Sequence, residues 1–135
     1  RLLRRGLRAA PILCADTTVA LGRRILGKPS DAADALATLA LLCGRSHRVL
    51  TAVAIADGRN TRLAVNVSSV HFAAVPRAEL QRYVASGEPF GKAGAYAIQS
   101  GAARWIDRIA GSHSGIMGLP LFETALLLRR SGVRF

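Results

Sequence analysis

The chain has 135 residues, 50% of them apolar, and 19 basic against 8 acidic groups give it a formal net charge of +11. That length fits one domain, residues 1–135, with a core of its own, and the composition excludes a disordered polymer. The longest apolar stretch, Ala35 to Cys43, is broken by Thr38 and falls well short of the ~20 residues that cross a bilayer, so no membrane partner is expected.

Charge is uneven. Residues 1–30 hold seven basic groups against the single Asp16, a local +6, which favours an anionic partner such as a nucleotide, a nucleic acid or an acidic surface. Nucleic acid is disfavoured, because the seven aromatic residues are scattered and do not alternate with arginines as a base-stacking platform would. The start, Arg1 to Arg8, has no apolar core of a leader peptide, and the absence of an initiator Met predicts that the chain begins inside a longer protein. Cys14 and Cys43 sit among apolar neighbours and read as small buried thiols, not as a disulfide. Cys43 and His47 fall short of a zinc site, which needs three or four ligands, and His71 and His113 add no ligand pattern.

In chain order, Pro11 to Leu21 reads as a buried strand that delivers Asp16, Thr17 and Thr18 partway along, and Gly22-Arg23-Arg24 turns it into a short hairpin through Ile25 and Leu26. Ser30 offers a helix N-cap, Asp31 and Asp34 fall in the first turn, and Ala35, Leu36, Leu39 and Leu42 form an apolar face that ends at Gly44. Val49, Val53 and Ile55 alternate with Thr51 and Ala54. The turn Asp57-Gly58-Arg59-Asn60 follows, and Leu63 to Phe72 alternates again, which predicts a β-hairpin. Pro76 opens a second helix that ends near Gly87. Residues 88–101 form a long loop with one helical turn around Tyr96, Ala103 to Ala110 a strand, Gly111 to Gly118 a glycine-rich loop, and Pro120 to Arg130 the last helix. Strands and helices mixed with an antiparallel hairpin predict an α/β domain, a twisted mixed sheet flanked by helices.

Only two of the basic residues are lysines, Lys28 and Lys92, and both stand in glycine-marked turns, Gly27-Lys28-Pro29 and Gly91-Lys92-Ala93-Gly94. A compact ammonium beside backbone that a ligand can approach closely suggests an anion site. Gly22-x-x-x-x-Gly27-Lys28 approaches a phosphate-binding P-loop, but Pro29 replaces the hydroxyl that would hold magnesium, which leaves Lys28 before a helix start whose N–H groups favour an anion. Gly111-Ser112-His113-Ser114-Gly115 has the glycine frame of a nucleophile elbow with His113 at its centre, which excludes serine hydrolase chemistry. Asp16, an acid inside an apolar strand, must be paired, protonated or metal-bound to offset desolvation, and Glu88 is a second acid available to such a site. The competing reading of Asp16 is a strand carboxylate satisfied by local hydroxyls and amides such as Thr17 and Thr18.

Ala15-Asp16-Thr17-Thr18-Val19, Ile25-Leu26-Gly27-Lys28-Pro29, Gly44-Arg45-Ser46-His47-Arg48-Val49-Leu50-Thr51, Gly87 to Gln99 and Gly118-Leu119-Pro120-Leu121 resemble, in order, the sequence pattern of the Maf family. The resemblance implies a fold similar to that of inosine triphosphate pyrophosphatases and a cytoplasmic nucleoside triphosphate pyrophosphatase assisted by magnesium or manganese. It implies Asp16 as catalytic acidic residue, acting as proton acceptor on the attacking water or through a divalent metal, for which Glu88, read above from the residues, is the second candidate ligand. Lys28 and Lys92 would contact the phosphates, and Thr17 and Gln99 would help to choose the base. The Lys-Ala-Gly-Ala-Tyr and Ile-Gln form is similar to the branch acting on dTTP and UTP, and homodimers are common in the family. The family's N-terminal Ser-x-Ser-Pro-Arg-Arg phosphate loop has no counterpart here, and Gly91 stands where an aspartate is usual. The alternatives are a non-catalytic nucleotide-binding or division-regulating protein, since the family was first noted for inhibiting septum formation, and a basic nucleic-acid-binding module.

Overall fold

The computed structural model describes residues 10–135; the basic segment 1–9, on which the leader reading falls, lies outside the described residues. Five strands, β1 (Ile12–Leu21), β2 (Arg24–Leu26), β3 (Ser46–Ala56), β4 (Thr61–Phe72) and β5 (Ile106–Ala110), form one sheet in the order β2-β1-β3-β4-β5. Every neighbouring pair is antiparallel. Among the described residues four α-helices accompany it: α1 (Ala32–Leu42), α2 (Arg77–Ala85), α3 (His113–Met117) and α4 (Leu121–Arg130). The expected α/β class with a sheet that is not purely parallel therefore holds.

The β3–β4 hairpin follows from its turn. Asp57 accepts the N–H of Arg59 at 3.1 Å and of Asn60 at 2.8 Å, and Gly58 supplies the positive φ of 86° that the reversal needs. Its register pairs Thr51 with Asn66 and Val49 with Ser68, and β1 pairs Thr17 with Thr51 and Val19 with Val49. Side chains alternate across a strand, so Val19, Val49, Thr51, Val53 and Val70 share one face. The helices cover that face: Leu39 and Leu42 of α1, Leu80, Tyr83 and Val84 of α2, and Ile116 of α3 join Val19, Val49, Val70 and Phe72 in the main core. Leu127 of α4 closes a smaller cluster on Val53 and Ile55. Each fully buried Leu or Phe adds roughly 1.5–3 kcal/mol of apolar burial. The opposite face shows Leu63, Val65 and Val67, each more than half exposed.

Three sequence expectations change. The N-cap of α1 is Asp31, not Ser30: Asp31 accepts the Asp34 N–H at 2.8 Å, while the Asp34 carboxylate accepts the Ser30 N–H at 2.9 Å. These two carboxylates occupy the helix start, so the anion expected there beside Lys28 meets negative charge instead. Residues 101–105 form a 3-10 helix, and the strand begins only at Ile106. The expected loop 111–118 contains α3, capped by Ser112, whose hydroxyl accepts the Gly115 N–H at 2.9 Å.

One buried polar group anchors the aromatic core. His47 is 2% exposed, its Nε2 lies 2.6 Å from the Tyr96 hydroxyl, and its ring meets Phe72 and Tyr96 edge-on with centroids 5.3 and 5.4 Å away. Burial, with His71 adding a smaller repulsion, lowers the His47 pKa from 6.5 to about 4. Between those values the unfolded chain binds a proton that the folded protein excludes, so this contribution is full above pH 6.5 and is lost as pH falls toward 4. His47→Gln keeps an acceptor for Tyr96 and does not titrate. Chemical denaturation across this window is expected to show wild-type stability falling by about 3 kcal/mol more than that of the variant; parallel curves would refute the assignment.

Candidate active site

A cleft of about 300 Å³ opens where the middle of β1 meets the turn after β2 and the loop before the 3-10 turn Ala93–Ala95. Its polar rim is Asp16, Thr17, Lys28, Lys92 and Gln99, and its apolar wall includes Val19, Val49, Ile98, Ile116 and Met117. A groove of similar volume, about 310 Å³, is lined by Ala32, Ala33, Leu36, Gln81, Val84 and Ala85 and carries no titratable group. Chemistry, not size, singles out the first.

Two loops bring the lysines to one place. The Gly94 N–H donates to the Gly27 carbonyl at 3.1 Å and ties the turn holding Lys28 to the turn holding Lys92. Gly94 takes φ 72°, and a Cβ there would lie 2.9 Å from Val19 Cγ1, so only glycine lets this loop seat against β1. Ala95 next to it also has a positive φ, 64°, a strained conformation that its burial holds in place. Lys92 Nζ donates to the Glu88 carbonyl at 2.6 Å, which uses one of three ammonium donors and leaves two for a ligand. Among the described residues neither lysine is ion-paired.

The carboxylates depart from expectation. Asp16 borders the cleft but is exposed, not buried: β1 is exposed from Ile12 through Asp16 and enters the core only at Val19 and Ala20. Its Oδ1 accepts the N–H of Thr17 at 3.0 Å. Cys14 is likewise exposed, and Cys43 half-buried with burial raising its thiol pKa. Glu88 is not among the residues lining the cleft; its carboxylate accepts the Gly101 N–H at 2.9 Å and braces the loop from behind. Among the described residues Asp16 is thus the one carboxylate at the cleft, and no three His, Cys, Asp or Glu side chains gather as a metal-binding group.

Behind the rim lies a residue that sequence reading placed among the polar members of β3. Thr51 is fully buried, 2.9 Å from the Thr17 hydroxyl, and donates to the Gly115 carbonyl of α3 at 2.7 Å. Strict alternation puts Thr51 in phase with Val49, Val53 and Ile55, and that phase was the available signal. Ile116 and Met117 reach the cleft because α3 is held there, by Thr51 and by a chain running from Ser112 N–H to Ser68, from Ser68 to Asn66, and from Asn66 to Glu123 of α4.

The family described as "Maf-like protein" matches residues 2–131. The chain is 62% identical to a dTTP/UTP pyrophosphatase of Burkholderia pseudomallei (strain 1710b) over 137 aligned residues, covering 100% of this chain and 66% of the relative. It is 60% identical to a dTTP/UTP pyrophosphatase of Cupriavidus metallidurans, covering 100% of this chain and 68% of that protein, and 59% identical to one of Polaromonas sp., covering 99% and 66%. The chain therefore spans about two thirds of the length of these curated relatives. A family match across almost the whole sequence, with the quoted motifs falling around one charged cleft, establishes that this chain belongs to the Maf family.

Proposed function

We propose that this chain carries the site of a nucleoside triphosphate pyrophosphatase that hydrolyses dTTP and UTP to the monophosphate and pyrophosphate. The observation that carries the reading is, among the described residues, one carboxylate and two lysines outside any ion pair on the rim of a single cleft whose other wall is apolar. A triphosphate nucleotide has the complementary division, a polyanionic tail and a flat base.

In this reading Lys28 and Lys92 take the phosphate oxygens, and the free donors of Lys92 neutralise charge as it builds on the leaving pyrophosphate. Asp16, exposed enough to meet water, accepts the proton as the water oxygen bonds to the α-phosphorus and the bridging α–β P–O bond breaks. Thr17 and Gln99 read the base, which lies against Ile98, Ile116 and Met117. The donor set does not fit a closed metal cage, but it fits an ion of the magnesium or manganese type, which is commonly held by one or two carboxylates, waters and substrate phosphates. Asp16 would hold that ion, which would supply further neutralisation of the phosphates. Glu88 acts here through its carbonyl on Lys92, not as a ligand. The substrates of this reading belong to the cytoplasmic nucleotide pool, and among the described residues no helix is long and apolar enough to cross a membrane.

The test is pyrophosphate release from dTTP, UTP, CTP and ATP with Mg²⁺ or Mn²⁺. Asp16→Asn is expected to lower turnover by about 10²–10⁴-fold, the usual weight of a general base. Equal turnover, or none in either protein, would reject the enzyme reading and favour a non-catalytic nucleotide binder. Gly94→Ala forces a side chain into φ 72° against Val19 and separates the lysine turns. Thermal unfolding should report a loss of roughly 1–3 kcal/mol, together with a KM raised by weaker phosphate binding. An unchanged KM would show that the Gly94–Gly27 bond does not set the lysine geometry.

A further inference from the structure

The hydroxyl protons behind the cleft are fully determined by the hydrogen-bond geometry. The Gly115 carbonyl can only accept, so the Thr51 hydroxyl spends its one proton on that bond of 2.7 Å. The contact of 2.9 Å between the two threonine oxygens therefore takes its proton from Thr17. Thr17 borders the cleft with its proton turned inward, and only its lone pairs remain for a ligand. Thr51 itself is fully buried and does not line the cleft.

We propose that Thr51 is a positioning residue that makes Thr17 an obligate acceptor, and that this polarity selects a pyrimidine carrying an N–H at ring position 3 over one carrying a bare nitrogen there. The inference rests on the pyrophosphatase reading of the same cleft and adds the source of its base preference. Uracil and thymine present N3–H, which an acceptor-only oxygen satisfies. Cytosine presents a lone pair at N3, and the two acceptors face each other unpaired, a mismatch of polarity that discriminates more strongly than a change of size. A freely rotating threonine would serve either base by turning its proton, so discrimination needs the proton held. Gly115 keeps the acceptor in place: a Cβ on it would lie 2.6 Å from Asn66 Oδ1, and its own N–H is fixed by Ser112.

Thr51→Val keeps the shape, removes the acceptor for the Thr17 proton and frees that hydroxyl to donate. Thr51→Ser keeps the relay. Dissociation constants of UMP and CMP, measured by calorimetry on the full chain and independent of turnover, are to be set beside kcat/KM for UTP and CTP. Wild type and Thr51→Ser are expected to favour the uridine nucleotide by about tenfold or more, and Thr51→Val is expected to reduce that ratio to near unity, chiefly by binding CMP better. A merely structural Thr51 would weaken both nucleotides in parallel and leave the ratio intact, which would overturn the proposal. Equal binding of UMP and CMP by wild type would overturn it as well, whether or not Thr51→Val folds. Wild type that discriminates in binding but hydrolyses nothing would sink the enzyme reading while supporting the relay, whereas wild type that binds neither nucleotide would sink both.

Discussion

The hydrogen bond from the Gly94 N–H to the Gly27 carbonyl is the constraint on which the site depends, because it joins two loops whose only common feature in the sequence is a lysine among glycines. Each loop is anchored elsewhere by ordinary means. The first leaves the short β2, paired in register with β1 from Val19 to Leu21, and the second is braced by the Glu88 carboxylate on Gly101. Neither anchor alone sets the distance between Lys28 and Lys92. Two ammonium groups repel, and they share a cleft because backbone geometry that only glycine adopts without strain holds them there until an anion arrives. Positive charge is thus pre-organised for a ligand, with its cost carried by the fold.

Charge and shape are contributed by different layers. The lysines and Gln99 stand on loops, where exchange of substrate and water is easy, while Thr17, Val19 and Val49 stand on the sheet, and Ile116 and Met117 on or beside a helix pinned to it. Sheet residues are held by cross-strand pairs, Thr17 with Thr51 and Val19 with Val49, so the wall against which a base would lie is fixed by the strand register, whereas the loops that would meet the phosphates are fixed by single backbone bonds. Asp16 sits where the two layers meet, at the point along β1 where exposure gives way to burial.

Much of the fold was legible because its signals are local. The turn Asp57 to Asn60, the alternation of β3 and β4, Pro76 ahead of α2 and the basic end of α4 each act through neighbours in sequence. What failed depends on partners far along the chain. Ile12, Leu13, Cys14 and Ala15 read as a buried strand, yet whether an apolar strand is buried is decided by what packs on it, and nothing in its own periodicity says so. The five residues of α3 include a glycine and lack intrinsic helix strength; a serine cap and a threonine from β3 hold them. In the site, the two lysines stood out by rarity and by their glycine turns. Thr17 and Gln99 entered only through family likeness, and Glu88, read as a second acid available to the site, spends its groups elsewhere in the loop, its carbonyl meeting Lys92 and its carboxylate the Gly101 amide.

The far wall of the cleft raises a last question of proton placement, at His47 and Tyr96. If the His47 Nε2–H donated to the Tyr96 oxygen, two polar groups would stay unmet in the core, the Tyr96 proton and the bare Nδ1, since among the described residues Tyr96 has no other partner and Nδ1 has none. If Tyr96 donates to Nε2, only one group, Nδ1–H, is unmet. Because each buried unpaired polar group costs on the order of 1–3 kcal/mol, the second arrangement wins. The same burial that raises the Tyr96 pKa and lowers that of His47 keeps both neutral, so the bond between them is a fixed donor and a fixed acceptor. Tyr96 is thereby held edge-on to Phe72, with centroids 4.8 Å apart, and the stretch from Tyr96 to Gln99 that borders the cleft leaves the core from a buried, hydrogen-bonded root. A second buried pair thus gives the loop side of the cleft the rigidity that Thr51 gives the sheet side.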